Sequence, residues 1–300
     1  MTTGPSNPSN PSDPSELSEL SELSELSVSP TAADTRPDTP PSDTTLERLR
    51  TEPLEVLGRM PWSSNATFLV CVGDAPEGLD AAHGLDRLAT SGALLAVYKP
   101  GRGEQPLWDF PTRIFTREVA TYELAVSLGW DLVPPTVYRS DTDDGVPLGE
   151  GSLQQFVHVD FSEHYFTMLE DETLHPQLRR ICVFDLLSNN TDRKGGHILV
   201  DADRHLWCID NGLSFHQEFK LRTVVWDFAD EPIPDDLRDD VCRVLLDDAD
   251  GGGGSGVPDA VAAYLDPFER DALLTRARAV VAEGVFPTDH SGRRHPWPLV

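Results

Sequence analysis

The chain contains 300 residues, of which 51 are acidic and 24 basic, so its formal net charge is −27. Nucleic-acid phosphates and anionic bilayers repel such a chain, and we expect neither a nucleic-acid partner nor stable membrane association. Its four cysteines have no metal-binding spacing, no apolar run approaches the ~18 residues that span a bilayer, and the N-terminus lacks a secretory signal pattern. These features predict a reduced, cytoplasmic protein.

Residues 1–45 are of low complexity and predict a disordered tail. They contain Pro-Ser-Asn repeats, followed by Ser-Glu-Leu repeats in which leucine recurs at every third position. A helix has 3.6 residues per turn, so this row of leucines moves around a helix by about 60° per repeat and forms no steady apolar face. We therefore place the start of the ordered chain near Leu46.

The next part of the chain is rich in strand patterns, with a single helix among them. A polar, glycine-containing insertion separates the first two strands, and an acidic turn separates the last two. The predicted elements are strands over residues 67–72, 94–99, 133–139 and 152–157 and a helix over residues 117–128 that ends at Gly129.

The second half of the chain is mainly helical. The predicted elements are helices over residues 174–187, 234–246 and 259–283, a hairpin over residues 198–209, and a glycine-rich linker over residues 251–256. Strands followed by helices predict an α+β fold of two lobes with a cleft between them. We assign residues 46–157 to a β-rich N-lobe, 158–290 to a helical C-lobe and 291–300 to a C-terminal tail.

Lys99 is one of only three lysines in the chain, and it ends an apolar strand pattern. A lysine in this position can project into a cleft and pair with phosphate oxygens, although a strand-end lysine can also simply reach solvent. Glu118 lies on the same helix face as Tyr122, which places it beside the buried side and makes it the candidate partner of Lys99. Glu123, on another face, is the alternative partner.

Two aspartates flank the predicted hairpin. Asp192 lies in the polar loop before it, and Asp210 directly follows its second strand. Such a pair suits phosphoryl transfer, because the first carboxylate can orient or deprotonate an acceptor hydroxyl while the second holds Mg²⁺ against the phosphates. A capped surface turn also explains clustered Asn, Asp and Gly. It explains Asp210 poorly, since this residue interrupts an apolar strand.

These motifs resemble the type II phosphatidylinositol 4-kinases. Residues 190–193, Asn-Thr-Asp-Arg, are similar to the catalytic segment of that family, and residues 209–215, Ile-Asp-Asn-Gly-Leu-Ser-Phe, to its metal-binding segment. Five earlier segments follow the order of the family: a phosphate loop (63–68), the ATP-lysine strand (96–100), the helix with the paired glutamate (118–122), the strand after it (133–136) and the adenine hinge (151–157). An uncharacterised actinobacterial group of the same superfamily is even more similar.

The resemblance implies a kinase-like fold of two lobes and an ATP-dependent transfer of the γ-phosphoryl group. It implies that Asp192 is catalytic, that Lys99 binds the α- and β-phosphates, and that Glu118 orients Lys99. Asp210 would hold Mg²⁺ or Mn²⁺. The remaining implied contacts are Ser63, Ser64 and Asn65 over the phosphates and Gln155, Phe156 and Val157 at the adenine.

The chain departs from that family in two respects. His197 stands where the family usually has asparagine as a second metal ligand, and imidazole is softer than the oxygen donors that Mg²⁺ prefers. The cysteine-rich, palmitoylated membrane insertion is absent, which favours a protein or small-molecule acceptor over a lipid. Transfer of AMP is one alternative, and a nucleotide-binding pseudokinase scaffold, suggested by His197, is another.

The C-terminal tail carries an unusual group of side chains, Arg293, Arg294, His295 and Trp297. Such a segment either docks back on the fold or binds a partner. The sequence does not decide between these two alternatives.

Overall fold

The computed structural model describes residues 43–60, 65–76, 91–143, 145–247, 256–290, 292 and 294–300. The predicted tail lies outside the described residues as far as residue 42, as do Ser63, Ser64, Arg293 and residues 251–255 of the glycine-rich linker. The expectations for those residues stay predictions.

A five-stranded antiparallel sheet forms the N-lobe, with the strand order β1-β2-β3-β5-β4. Inward-facing Val70, Ala96 and Leu153 belong to its own apolar core. The strands are β1 Leu54–Arg59, β2 Phe68–Val72, β3 Leu94–Pro100, β4 Thr136–Arg139 and β5 Gly151–Gln155. The sequence analysis missed β1.

Helix α1, Asp43–Thr51, was also missed, and it begins before the predicted start of order at Leu46. The buried guanidinium of Arg139 explains the position of helix α1. Arg139 Nη1 donates to the carbonyl oxygens of Leu49 and Glu52 at 3.0 and 2.9 Å. A cation at this point satisfies the unpaired carbonyls at the end of a helix and complements its dipole.

Helix α2, Phe115–Leu128, follows the sheet strand β3 and ends as predicted at Gly129, whose φ of 73° suits glycine. At its start, the Glu104 carboxylate accepts the backbone N–H groups of Arg113 and Phe115 at 2.9 and 2.7 Å. On its inner side, Ala120, Tyr122 and Leu124 join the apolar core of the C-lobe and not that of the sheet. Because helix α2 also contacts strands β4 and β5, it lies between the sheet and the C-lobe core.

The C-lobe is mainly helical, with a short hairpin. Its elements are α3 Tyr165–Met168, α4 His175–Ser188, β6 Ile198–Val200, β7 Leu206–Cys208, α5 Asp235–Val241 with a π-helical turn over Cys242–Leu246, α6 Asp259–Ala262 and α7 Pro267–Glu283. The prediction of one helix over residues 259–283 is wrong in one respect, because the structure has two helices there, α6 and α7. Asp266 accepts the N–H groups of Phe268 and Glu269, and Pro267 occupies the first position, so a new helix begins there.

Separate apolar cores lie under the sheet and among the C-lobe helices, so the predicted two-lobed α+β fold is confirmed. Of the helices that the structure describes, none combines the length and the apolar character needed to cross a bilayer.

Candidate active site

Lys99, Glu118 and Asp210 meet in the cleft, although 111 residues separate the first from the last. Lys99 comes from strand β3, Glu118 from helix α2 and Asp210 from the turn after β7. Lys99 Nζ donates to Glu118 Oε1 and, at 2.7 Å, to Asp210 Oδ1. Lys99 therefore faces the cleft, and Glu118, not Glu123, is its partner.

Lys99 and Asp210 stabilise each other's charged form. Burial alone would lower the pKa of Lys99, but the charges of Asp210 and Glu118 outweigh it and raise that pKa above its ordinary value. In return, the Lys99 ammonium lowers the pKa of the Asp210 carboxyl far below its ordinary range. The site therefore presents a permanent cation and a permanent carboxylate side by side.

Glu118 also fixes the segment that carries Asp210. Its second oxygen, Oε2, accepts the backbone N–H of Asn211 at 2.9 Å. The chain passes so close that a Cβ added at Gly212 would lie 3.3 Å from Glu118 Oε1. Glu118 thus sets the distance between strand β3 and the residue after the predicted metal ligand.

Arg117, the neighbour of Glu118, anchors helix α2 to the C-lobe. Its Nε donates to the carbonyl oxygen of Ser214 at 2.9 Å, and its Nη2 forms a buried ion pair with Glu269 of helix α7. The sequence analysis missed this pair, because its members lie 152 residues apart. Arg117 holds the start of helix α2, and with it Glu118, against the segment after Asp210.

Asp192 lies in the loop before the hairpin, where Asn190 Oδ1 accepts its backbone N–H at 2.9 Å. Its carboxylate lies 3.2 Å from Lys194 Nζ. Burial raises the pKa of this carboxyl above its ordinary value, against the opposing charge of Lys194. A carboxylate of raised pKa, only partly exposed, is suited to accept a proton from a hydroxyl group.

A buried ion pair on the inner side of this loop holds it in place. Arg193 Nη2 lies 3.0 Å from Asp185 Oδ1, and both side chains are fully inaccessible to solvent. Arg193 also donates to the Ile209 carbonyl at 2.8 Å and to Asn211 Oδ1 at 2.7 Å, which joins the loop to the segment of Asp210. The sequence analysis did not assign this pair a role. The available signal was a carboxylate, Asp185, on the apolar face of helix α4, since a buried carboxylate requires a partner.

His197 bridges the two aspartate segments. Its Nδ1 lies 3.0 Å from the Asp192 carbonyl oxygen, and its Nε2 lies 3.4 Å from Asp210 Oδ2. Burial lowers the pKa of the imidazole to about 4, so the ring is neutral at physiological pH. The Asp192 carbonyl at 3.0 Å favours a proton on Nδ1 over the Lys194 N–H, which lies 3.5 Å from the same nitrogen, and in that tautomer the lone pair of Nε2 faces the carboxylate.

A divalent cation fits this arrangement. Two acceptors that face each other at 3.4 Å, His197 Nε2 and Asp210 Oδ2, gain from a cation between or beside them. In the part of the chain that the structure describes, no group of three or more His, Cys, Asp or Glu side chains could hold a metal ion. Any further ligands would therefore have to come from phosphate oxygens and water.

The predicted phosphate loop is described only from Asn65 onward. Asn65 Oδ1 accepts the N–H of Gln105 at 2.9 Å, and the N–H of Ala66 donates to the Gly103 carbonyl at 3.0 Å. A side chain at Gly103 would collide with Ala66. The loop therefore lies against the turn that follows Lys99.

The predicted hinge residues differ in whether their backbone groups already form hydrogen bonds within the protein. The N–H of Gln155 donates to the Pro135 carbonyl at 2.8 Å, and that of Phe156 donates to the Leu95 carbonyl at 2.9 Å. The backbone of Val157 forms no hydrogen bond with any other described residue. Of the three, Val157 is the one whose backbone N–H and carbonyl are open to a ligand.

Known proteins are similar to this chain in sequence. Residues 130–253, which include Asp192, His197 and Asp210, match the model of the phosphatidylinositol 3- and 4-kinase family. Protein Rv2133c of Mycobacterium tuberculosis is 38% identical over 279 residues, which cover 82% of this chain and 91% of that protein.

Two solved structures are similar to this chain at low sequence identity. Hydra Fam20, determined with sugar, is 15% identical, with a TM-score of 0.41 over 86% of this chain and 96% of that one. The Helicobacter pylori proinflammatory kinase CtkA is 11% identical, with a TM-score of 0.43 over 79% and 94%.

Proposed function

This chain belongs to the phosphatidylinositol 3- and 4-kinase-like superfamily, in one family with protein Rv2133c, and on that premise we propose that it is an ATP-dependent phosphotransferase. It would transfer the γ-phosphoryl group of ATP to a hydroxyl group. One observation carries the proposal: Lys99 of the N-lobe is bound at once by Glu118 and by Asp210, from two other segments. Kinase-like phosphoryl transfer requires such a cation and carboxylate at the same point.

The nucleotide would lie between the lobes. The open backbone groups of Val157 suit the edge of adenine, and Lys99 suits the α- and β-phosphates. Asn65, with Ser63 and Ser64, would cover the phosphates. On this proposal, phosphate oxygens take the place of Asp210 at Lys99, because the Asp210 side chain is 54% exposed and can turn away.

The chemistry needs few groups from the protein. The acceptor oxygen forms a bond to the γ-phosphorus, the bond from that phosphorus to the β,γ-bridging oxygen breaks, and ADP leaves. The acceptor proton passes to the Asp192 carboxylate. Asp210 and His197 would hold Mg²⁺ or Mn²⁺, which neutralises phosphate charge when it is bound.

The acceptor we propose is a protein or a small molecule in the cytoplasm, in preference to an inositol lipid. The support is the net charge of −27, which opposes approach to anionic bilayers and to nucleic acids. Vesicles containing anionic phosphoinositides should not retain the protein at physiological salt. Retention that is lost at high salt would reverse the preference.

A pseudokinase is the second candidate, and His197 is the observation that favours it. A neutral imidazole 3.4 Å from Asp210 places nitrogen where the related kinases usually use an oxygen donor. A protein of this kind would bind nucleotide, or nothing, and act as a regulatory scaffold.

One experiment separates the two candidates. Purified protein, γ-labelled ATP and Mg²⁺ or Mn²⁺ are incubated with a cell lysate, and label transfer and ADP release are measured for the wild type and for Lys99→Met. The proposed kinase labels specific acceptors, and the variant loses most of this activity. Nucleotide binding without any transfer, with every metal, would favour the pseudokinase. Transfer that is unchanged in Lys99→Met would contradict the proposed site.

A further inference from the structure

The C-terminal tail, residues 294–300, docks on the loop that carries Asp192. The Leu299 carbonyl oxygen accepts the backbone N–H of Gly195 at 2.7 Å. Earlier in the tail, the Arg294 carbonyl accepts the N–H of Thr223 at 3.0 Å and the indole N–H of Trp226 at 3.2 Å. Of the two alternatives that the sequence leaves open, the structure shows docking back on the fold.

The segments that the tail contacts are themselves joined around Asp192. The N–H of Arg193 donates to the Arg222 carbonyl at 3.0 Å, and the N–H of Val224 donates to the Arg193 carbonyl at 3.1 Å. Gly195 is the third residue after Asp192, and no side chain limits its backbone. The tail therefore reaches the part of the loop where the chain has most conformational freedom.

Gly195 is matched to the tail by close packing. A Cβ added there would lie 3.3 Å from the Leu299 carbonyl oxygen, 3.3 Å from Phe166 Cε2 and 3.4 Å from Val300 Cγ2. A Cβ at the adjacent Gly196 would lie 3.9 Å from Val300 Cγ1, which is ordinary contact. The tail thus confines Gly195 much more closely than Gly196.

Burial of the side chains that follow Pro296 does not account for the docking of this last part of the tail. Trp297 is 88% exposed, Val300 is 50% exposed and Leu299 is 39% exposed. Stabilisation by apolar burial scales with the area removed from water, so these residues contribute little to global stability. Leu299 and Val300 contact the loop at Gly195, and the effect of this contact is local.

We propose that Leu299 and Val300 are positioning residues for phosphoryl transfer. By holding Gly195, they keep the loop in the conformation that directs Asp192 at the acceptor hydroxyl. This inference rests on the proposed function. Fixing a catalytic group matters because a displacement of about 1 Å can slow a reaction by about two orders of magnitude.

A chain ending at Pro296 tests the contact without requiring activity. The Gly195 amide loses its acceptor, so its hydrogen exchange should become on the order of 5- to 10-fold faster. The Thr223 amide keeps Arg294 and should exchange as before, which makes it an internal control. Unchanged exchange at Gly195 would overturn the proposal.

The same truncated chain tests the catalytic part. Its kcat should fall on the order of tenfold or more, while KM for ATP and Tm stay close to those of the full chain, because neither the nucleotide site nor the core has changed. An unchanged kcat would overturn the proposal, and so would an increase, which would mean that the tail obstructs the acceptor. A full chain without turnover would contradict the proposed function itself, and the exchange measurement distinguishes that result from loss of the tail contact.

Two glycine variants complete the test. Gly195→Ala should lower kcat more than Gly196→Ala, because only the first added methyl group presses on the tail. In the chain ending at Pro296, Gly195→Ala should lower kcat by a smaller factor than in the full chain, because the tail contact that the methyl group displaces is already absent. Equal effects of the two alanines, or strictly additive effects of Gly195→Ala and the truncation, would contradict the proposal.

Discussion

Two ion pairs meet at the segment around Asp210, and they differ in almost every physical respect. Asp185 and Arg193 lie beneath the loop with no exposed side-chain area, and Thr223 Oγ1 also donates to Asp185 at 2.9 Å. Lys99 and Asp210 lie in the cleft, where the two side chains are 21% and 54% exposed. The first pair is enclosed and saturated with hydrogen bonds, whereas the second is open to solvent.

Because they differ in exposure, the two ion pairs suit different roles. A buried pair has a high desolvation cost, which only complete hydrogen bonding offsets, so its partners cannot be exchanged. A pair at the edge of solvent is weaker, and a phosphate group can replace one partner. The buried pair therefore maintains the loop, and the exposed pair is available for a reaction. Each of the following variants tests one side of this distinction.

The largest effect is expected for Asp210→Asn, which alters the cleft pair alone. The change keeps the shape of the side chain and removes the charge that would hold the metal, so transfer should fall on the order of 10³-fold or more. ADP release and thermal melting measure the two consequences, and Tm should change little. Wild-type turnover in this variant would contradict the whole kinase assignment.

Arg193→Met breaks the buried pair and leaves Asp185 as an unpaired buried charge. We expect a loss of about 3–5 kcal/mol in the free energy of unfolding, measured by urea denaturation. Lys99→Met is the matched control, because the same side chain replaces a cation in the exposed pair. It should cost less, about 1–2 kcal/mol, because water can reach the exposed Asp210 carboxylate, while the buried Glu118 keeps the Asn211 N–H as a hydrogen-bond donor. Equal losses would mean that the two pairs do not differ in the proposed way.

Asp192→Asn removes the proposed proton acceptor and leaves both pairs in place. Transfer should slow on the order of 10²-fold, which corresponds to about 2.7 kcal/mol of transition-state stabilisation. The affinity for ATP should stay nearly constant, because Asp192 contacts none of the groups assigned to the nucleotide. A large loss of ATP affinity would instead place Asp192 in the binding site.

The smallest effect is expected for His197→Asn, which replaces a nitrogen donor beside Asp210 by an oxygen donor. If His197 is a metal ligand, the preference should shift from Mn²⁺ toward Mg²⁺ by a few-fold, and activity should be retained or increased. An identical metal profile would show that His197 only fills space. Activity that is absent from the wild type and present in this variant would favour the pseudokinase.

Local patterns were sufficient for much of the fold. Gly129 predicts the end of helix α2, and the apolar runs around Val70 and Ala96 predict neighbouring strands, because these signals depend on adjacent residues. Helix α1 was missed, because its end is stabilised by Arg139, far along the chain. The break at Asp266 has a local signal, the Asp-Pro pair, which the helical pattern on either side concealed.

The candidate site shows the same division. Lys99, Glu118, Asp192 and Asp210 were predicted from their local patterns and the order of the motifs, and the structure places Lys99, Glu118 and Asp210 in contact. The groups that support them were not found: Arg117 depends on Glu269, and Gly195 depends on Leu299. Those contacts join segments with no pattern in common, so no local rule identifies them. Only the three-dimensional arrangement reveals which glycine or arginine carries a constraint.

Helix α2 has a mechanical consequence, because its inner side packs into the C-lobe core and Arg117 ties it to helix α7. Helix α2 also contacts strands β4 and β5, so Glu118 lies on an element that touches both lobes, while Lys99 belongs to the sheet. The contact between Lys99 and Glu118 joins strand β3 to helix α2, so a displacement of the helix relative to the strand would separate the two side chains. The ion pair is therefore sensitive to the position of helix α2 relative to the sheet.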